Sequence, residues 1–386
     1  MKKIQLLNKI AKVGTDIFNR GEYEVGENVE NPDAVMVRSA SMLDMTFSPS
    51  LRAIGRAGAG VNNIPVERCA KEGIVVFNTP GANAGGVKEL TVAALILASR
   101  DITGGIEWVK TLQDDPDVAK TVEKGKSAFV GHEVAGKKLG VIGLGAIGGM
   151  VANTALSLGM KVLGCDPFIT VNAAWSLSHS IEKAASYDDI FKEADYITLH
   201  VPATAETKGM INKASIEKMK DGVRIINLAR ADLVNAEDLK EALASGKVAS
   251  YVTDFPTPAT VGVKGIINIP HLGASTYESE DNCAVMAAQE LDEFLRTGNI
   301  RNSVNYPSVS IPHTGAARVG LLHKNVPAML SQITSFISEN GINIENLSNG
   351  SKGEFAYTIV EMASPLPQGV KEKFEAIDGM IRVTEY

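Results

Sequence analysis

Only three of the 386 residues are cysteine, Cys69, Cys165 and Cys283, and none pairs with another as CxxC. A disulfide framework and a cysteine-based structural zinc site are therefore not expected, and a reducing compartment is. Long apolar runs are also missing: none approaches the ~18 residues that a membrane span needs. The N-terminal MKKIQLLNKI is basic but has neither an extended apolar core nor a small-residue cleavage site, so a cytoplasmic location is expected, with no membrane partner. Positive charge is in deficit. Lys and Arg number 38 against 45 Asp and Glu, a net charge of −7, which argues against nucleic acid as the main partner. An anionic substrate would need arginines to make its site locally positive. There is no internal repeat and no low-complexity tract. What is left is 45% apolar and 22% charged, ordinary for a globular protein, in a chain long enough for two or three domains.

The most informative stretch runs from Lys138 to Asp166, KLGVIGLGAIGGMVANTALSLGMKVLGCD. A short apolar run leads into Gly143-Leu144-Gly145-Ala146-Ile147-Gly148. A helical pattern follows until Gly159, and a second apolar run ends in Asp166. Strand, glycine turn, helix, strand and acid are the parts of a dinucleotide cradle. Gly143 permits the tight turn, Gly145 leaves room for a pyrophosphate, and Gly148 lets helix and strand pack closely. The helix N-terminus offers free N–H groups and the positive end of its dipole. Asp166 can accept from ribose hydroxyls and repels a 2′-phosphate, so NAD is expected rather than NADP.

Either side of this stretch, strands alternate with helices. Before it, Ile4–Leu7, Ala34–Val37, Ala53–Ile54 and Ile74–Phe77 are strand candidates of a small parallel α/β unit. Two turns follow these strands, Arg38-Ser39-Ala40 and Arg56-Ala57-Gly58-Ala59-Gly60-Val61-Asn62-Asn63. Gly58, Ala59 and Gly60 can aim successive N–H groups at a carboxylate. Arg38 can add a bidentate grip on a carboxylate or phosphate, beside Ser39. Residues 83–110 read as one long helix. After Asp166, strands are expected at Tyr196–His200, Val223–Asn227, Ser250–Asp254 and Ile266–Ile269, completing a six-stranded doubly wound sheet. Its ligand edge gathers the fingerprint loop, Asp166, His200-Val201-Pro202, Ala229-Arg230, Asp254 and His271. A helix is expected over 275–296 and a linker over Asn302–Pro312. The segment from Ala317 reads as βαββαβ: strand 318–323, helix 327–340 closed by Gly341, strands 342–347 and 355–362 around an Asn349-Gly350 turn, helix 368–377 and strand 380–385.

Three groups point to hydride-transfer chemistry. His271, in Asn268-Ile269-Pro270-His271-Leu272-Gly273, follows a core strand, where a histidine can take a hydroxyl proton as hydride leaves the same carbon. Arg230, in Asn227-Leu228-Ala229-Arg230, can hold a carboxylate and polarise a developing carbonyl. Asp254 can accept from a nicotinamide carboxamide.

GLGAIG with Asp166, NLAR, TDFP and IPHLGAST, in this order and spacing, resemble the D-isomer-specific 2-hydroxyacid dehydrogenases. VRSAS, RAGAGVNN and NTPGANAGGVKEL are similar to the members acting on 3-phosphoglycerate, and the C-terminal unit is similar to an ACT domain. The resemblance implies a Rossmann-type NAD domain at 96–274. It also implies a flavodoxin-like substrate domain at 1–95 with 275–305, and a ferredoxin-like ACT domain at 313–386. It implies oxidation of 3-phospho-D-glycerate to 3-phosphohydroxypyruvate, the first step of the phosphorylated route to L-serine, by a homodimer or homotetramer. Arg230 and His271 would be catalytic. Gly143, Gly145, Ala146, Ile147, Gly148, Asp166, His200, Val201, Pro202, Leu228, Ala229, Asp254 and Gly273 would hold NAD, and no metal is implied. Arg38, Ser39, Gly58, Ala59 and Gly60 would bind substrate, and His323, Asn325 and Asn343 would bind L-serine as effector.

The chain departs from the family's pattern in three places. The glutamate that supports the histidine, in DVFxxEP, is missing from the shortened Asp254-Phe255-Pro256-Thr257-Pro258. Ala231-Asp232 follows Arg230 in place of glycine, and Asp232 can pair with the arginine. Ala328 replaces a glycine in the effector turn. Two other readings stand beside the first: a dehydrogenase for another D-2-hydroxy acid, and a binding protein sensing NAD and serine on a weakened dehydrogenase scaffold.

Overall fold

A computed structural model describes every residue except 19, 20, 315 and 368. The chain forms two units, residues 1–83 with 277–386, and residues 84–276.

In the first unit a parallel sheet orders its strands Tyr23–Gly26, Lys2–Leu6, Ala34–Val37, Ala53–Arg56 and Val75–Asn78. Numbered along the chain this is 2-1-3-4-5, the flavodoxin-like order. AVMV, AIG and VVF are buried throughout, as strands covered on both faces must be. The edge strand Tyr23–Gly26 escapes sequence reading because only Tyr23 is buried, leaving no alternation to detect. Helix Tyr277–Thr297 covers the sheet through Ala287, Leu291 and Phe294. A Cβ on Gly55 would come within 2.9 Å of the Leu291 side chain, so the helix packs closely over this glycine.

Residues 302–312, expected to be a linker, pack back onto this sheet. The Asn305 amide accepts from Val76 N–H (2.9 Å) and donates to the Ile74 carbonyl (2.8 Å). The fully buried Tyr306 donates its hydroxyl to the Ala70 carbonyl at 2.6 Å.

Glu290, on the covering helix, is 7% exposed. Its Oε1 accepts from Asn302 at 2.7 Å, while Oε2 has no partner among the described residues. Loss of solvation, with a smaller push from Glu293, raises its pKa to about 8. An acid whose folded pKa exceeds its unfolded value keeps its proton longer in the native state. The fold therefore loses stability as pH rises from the ordinary carboxylate range through about 8. Glu290→Gln is expected to exceed the parent by about 2–4 kcal/mol near pH ~9, with the gap closing below pH ~5. Urea unfolding at both pH values checks this.

The C-terminal part of this unit is an antiparallel sheet ordered Ile344–Lys352, Phe355–Met362, Ala317–Lys324, Met380–Glu385. With helices Met329–Glu339 and Val370–Glu375 it makes the expected βαββαβ. Residue 368, the expected start of the second helix, lies outside the described residues. The hairpin does not turn at Asn349-Gly350. The strand continues to Lys352, Gly350 faces Tyr357 across the ladder, and the turn is Gly353-Glu354, with Gly353 at φ +60°. Gly350 serves packing instead: a Cβ there would lie 3.0 Å from Pro307 and from Val309. Ala328 sits at φ +67°, the left-handed conformation that favours glycine. Gly341, at φ +72°, closes its helix as expected.

The second unit holds a seven-stranded parallel sheet. Its order is Ile266–Asn268, Val248–Thr253, Val223–Asn227, Tyr196–Leu199, Lys138–Ile142, Lys161–Cys165 and Glu182–Lys183. The strand not foreseen, Glu182–Lys183, has two exposed residues and no hydrophobic pattern. The winding direction reverses at Lys138–Ile142, so a crevice opens at the C-terminal strand ends beside it. The long helix expected over 83–110 is two, Ala84–Ser99 and Ile102–Lys110. Asp101 breaks it by capping the second, its carboxylate accepting from Gly104 N–H at 2.9 Å. Among the described residues no helix is long and apolar enough to cross a membrane, and no cluster of His, Cys, Asp or Glu has metal-site geometry.

Candidate active site

The strand Lys138–Ile142 runs into the glycine turn at the centre of the second unit. Gly143 has φ +89°, and a Cβ there would meet the His200 carbonyl oxygen at 2.5 Å. A Cβ on Gly148 would lie 1.8 Å from the Gly143 oxygen, so strand and helix approach closely only with glycine. At Gly145 an added Cβ meets nothing within 4 Å. This glycine faces open space at the first turn of helix Ala146–Ser157, where Ala146 and Ile147 begin and no side chain caps the N-terminus. Asp166 ends the neighbouring strand. Its Oδ2 accepts from Leu144 N–H (2.9 Å) and its Oδ1 from Phe168 N–H (2.9 Å). The carboxylate is thereby fixed beside the glycine turn, with further lone pairs free to accept.

His200, Val201 and Pro202 follow the next strand. Desolvation pushes the His200 imidazole down to about 4, so it is neutral, and its Nε2 pairs with Thr198 Oγ1 at 2.9 Å. Leu228 is buried, while Ala229 and Arg230 emerge beyond it. Asn227, fully buried, shapes their loop. Its Oδ1 accepts from the N–H groups of Ala229 (3.1 Å) and Arg230 (3.3 Å), and its amide donates to the Arg230 carbonyl (2.8 Å) and to the Tyr251 hydroxyl (3.0 Å). The Arg230 side chain is exposed. Among the described residues it forms no ion pair, so Asp232 does not neutralise it as the sequence allowed.

Asp254 is 1% exposed. Its backbone oxygen accepts from His271 N–H (3.0 Å) and its Oδ2 from Gly273 N–H (2.9 Å). Both ends of the 271–273 turn therefore hang from one residue. Burial raises the Asp254 pKa, opposed by the Gly273 N–H and by the charges of His271 and Arg230. Its Oδ1 is buried without a partner among the described residues, a cost that a bound donor would remove. His271 is exposed and sits at φ +28°. Its ring lies 4.7 Å from that of Phe255, centroid to centroid. Among the described residues no carboxylate hydrogen-bonds to the imidazole.

These features fit a dinucleotide. The glycine cradle with the uncapped helix end suits a pyrophosphate, Asp166 a ribose, and the unpartnered oxygen of Asp254 a carboxamide donor. The family model "D-isomer specific 2-hydroxyacid dehydrogenase, NAD binding domain" matches residues 92–273. A D-3-phosphoglycerate dehydrogenase of Synechocystis is 31% identical over 100% of this chain and 71% of its own length. The chain belongs to the D-isomer specific 2-hydroxyacid dehydrogenases. A D-3-phosphoglycerate dehydrogenase of Archaeoglobus fulgidus is 36% identical over 74% of the chain, which spans about half, 54%, of that relative. The solved NAD+-bound 3-phosphoglycerate dehydrogenase of Entamoeba histolytica is 28% identical, with a TM-score of 0.62 over 79% of this chain and 98% of its own. As a 2-hydroxyacid dehydrogenase, the protein is an NAD-dependent oxidoreductase acting on a small molecule.

The substrate-binding candidates of this dehydrogenase lie in the first unit. The Asn8 side chain accepts from the N–H groups of Arg38 (3.2 Å), Ser39 (3.1 Å) and Ala40 (2.9 Å), folding a compact turn. Arg38 pairs with Glu280 at 2.6 Å, both half-exposed, so part of its charge is already answered. Gly58 has φ +145°, with a Cβ position that would overlap the Arg56 guanidinium. The Asn78 amide holds the Ala59 carbonyl (2.6 Å), while the Ala59 and Gly60 N–H groups have no protein acceptor among the described residues.

The effector candidates are not brought together in one copy. His323 pairs with Ala356 of the central strand Phe355–Met362, whereas Asn343 is joined to Ala363 at its other end. Six or seven strand residues separate these positions, roughly 20 Å. His323 is 2% exposed, with Nδ1 at 2.8 Å from the Lys324 carbonyl and Nε2 at 2.9 Å from Thr358 Oγ1. Asn325 is exposed and donates to the Gly353 carbonyl at 3.1 Å.

Sequence reasoning missed Asn227, which shapes the Arg230 loop, and Phe255, whose ring lies against His271. An asparagine that ends a strand, three residues before an arginine, is the signature of an Asx-type turn, and would have pointed to the first. The second has no signal, because a phenylalanine after a strand reads as packing.

Proposed function

We propose that the protein oxidises 3-phospho-D-glycerate to 3-phosphohydroxypyruvate with NAD. The observation that carries this reading is the pair of turns presenting Arg230 and His271, both exposed, beside the buried, half-partnered Asp254. Bound NAD supplies the hydride acceptor. Gly143, Gly145 and Gly148 with the helix N-terminus hold the pyrophosphate, Asp166 the ribose, and Asp254 orients the carboxamide. His271 takes the hydroxyl proton on a ring nitrogen. Arg230 fixes the carboxylate and stabilises negative charge on the forming carbonyl oxygen. Arg38, Ser39 and the N–H groups of Ala59 and Gly60 supply the anion-binding groups a phosphorylated acid requires.

Four of the most similar relatives carry the name D-3-phosphoglycerate dehydrogenase, which supports the phosphorylated substrate over another D-2-hydroxy acid. NADH formation from 3-phospho-D-glycerate, against D-lactate and D-glycerate, tests it. Arg38→Ala is expected to raise KM for the phosphorylated acid by ~10-fold or more and to leave D-lactate kinetics nearly unchanged, since one charged hydrogen bond is at stake. Efficient turnover of D-lactate without the phosphorylated acid would overturn the assignment. An L-serine site using His323, Asn325 and Asn343 would have to span two copies of the C-terminal sheet, which ties that reading to the homodimer or homotetramer. Three buried, unpaired cysteines suit a cytoplasmic enzyme.

A further inference from the structure

We propose that Phe255 is a positioning residue for the base, its ring taking over part of the support that a carboxylate gives the histidine in the pattern this chain departs from. The inference rests on the assignment of His271 as base.

Three observations carry it. The Phe255 and His271 rings are in contact, 4.7 Å between centroids and tilted by 47°. The same phenyl ring has the Arg230 guanidinium carbon 5.9 Å from its centroid, so one aromatic side chain touches both groups that act on the substrate. Third, among the described residues no acid bonds to the imidazole. The charged groups on the turns around it are Arg230 and Asp254, and Asp254 spends Oδ2 on Gly273 N–H.

The short segment also fixes the backbone that carries this ring. Phe255 N–H donates to Thr253 Oγ1 at 3.1 Å, and Pro256 behind it confines the backbone to extended conformations. Thr257 N–H donates to Thr260 Oγ1 (2.9 Å), which reaches Asn268 Oδ1 (3.1 Å) on the strand that leads to His271. A ring fixed in this way restricts the rotation of an imidazole that is otherwise exposed.

The electrostatics act in the same direction. When the substrate O–H bond breaks and an N–H bond forms on His271, the imidazole becomes a cation. An aromatic face attracts a cation through its quadrupole, and does so without the competing proton transfer that a carboxylate permits.

The test compares Phe255→Leu, Phe255→Tyr and His271→Asn in NAD-dependent oxidation of 3-phospho-D-glycerate across pH. Losing the ring destabilises the imidazolium, so the base is neutral at lower pH. The acid limb of kcat/KM in Phe255→Leu is expected to move down by about half a pH unit, equivalent to about 0.7 kcal/mol, the scale of an exposed cation–π contact. Its kcat should fall ~5–20-fold with little change in KM for NAD, and Phe255→Tyr should restore both limb and rate. If the leucine variant melts early, Phe255→Met, with a flexible chain that fills the gap, replaces it. An unmoved acid limb, or no restoration by tyrosine, overturns the proposal while leaving His271 as base, provided His271→Asn is inactive. An active His271→Asn enzyme that keeps the acid limb removes the base assignment and the proposal together.

Discussion

His271→Asn is expected to lower kcat by ~10²-fold or more, the usual scale for loss of a general base, while NAD affinity stays within a few-fold. Asparagine is the informative replacement because His271 sits at φ +28°, and asparagine tolerates positive φ better than most residues. The variant thus removes the proton acceptor with the least disturbance of the turn. That turn remains pinned, because the N–H groups of residues 271 and 273 bond to Asp254 whatever the side chain at 271. Steady-state kinetics beside calorimetric titration of NAD separate the two effects. Near-parental kcat would remove His271 from the role.

Glu361→Ala is expected to cost about 3–5 kcal/mol of stability, the penalty for stranding a buried charge. Arg318 and Glu361 are both 0% exposed and hydrogen-bonded to each other on adjacent strands. The guanidinium also donates to the carbonyls of Thr297 (2.6 Å), Ile311 (3.0 Å) and Pro312 (2.8 Å). One arginine therefore ties the end of helix Tyr277–Thr297 and the segment after it to the C-terminal sheet. Replacing Glu361 alone leaves that cation without its counter-charge, whereas Arg318→Met with Glu361→Leu should recover part of the loss. Urea unfolding of the single and double variants measures both; a single variant within ~1 kcal/mol of the parent would contradict the ion pair's role.

Much of this was legible in the sequence because its signals are local. GLGAIG between two apolar runs dictates turn, helix start and close packing, and the structure shows Gly143 making the turn, Gly148 the close packing and Gly145 facing open space. His271, Arg230 and Asp254 were findable because a parallel sheet collects whatever follows its strands at one end. The failures were non-local or lacked pattern. Tyr23–Gly26 and Glu182–Lys183 are edge strands with little to bury. Asn349-Gly350 reads as a turn, yet Gly350 is needed for its closeness to Pro307 and Val309, residues more than forty positions away. The break at Asp101 is a cap inside an otherwise continuous helical pattern. Nothing local in the sequence marks Glu290 or Arg318, and only tertiary packing buries them. The effector candidates fail to meet because strand register separates them.

In the proposed reaction hydride passes directly between the carbinol carbon of a phosphorylated 2-hydroxy acid and the nicotinamide. Mixing the protein with NAD and 3-phospho-D-glycerate deuterated at carbon 2, then taking the mass and proton spectrum of the reduced cofactor, measures this. One deuterium is expected on the dihydronicotinamide ring for each oxidised acid. Reduced cofactor without deuterium, or no reduced cofactor at all, would contradict it.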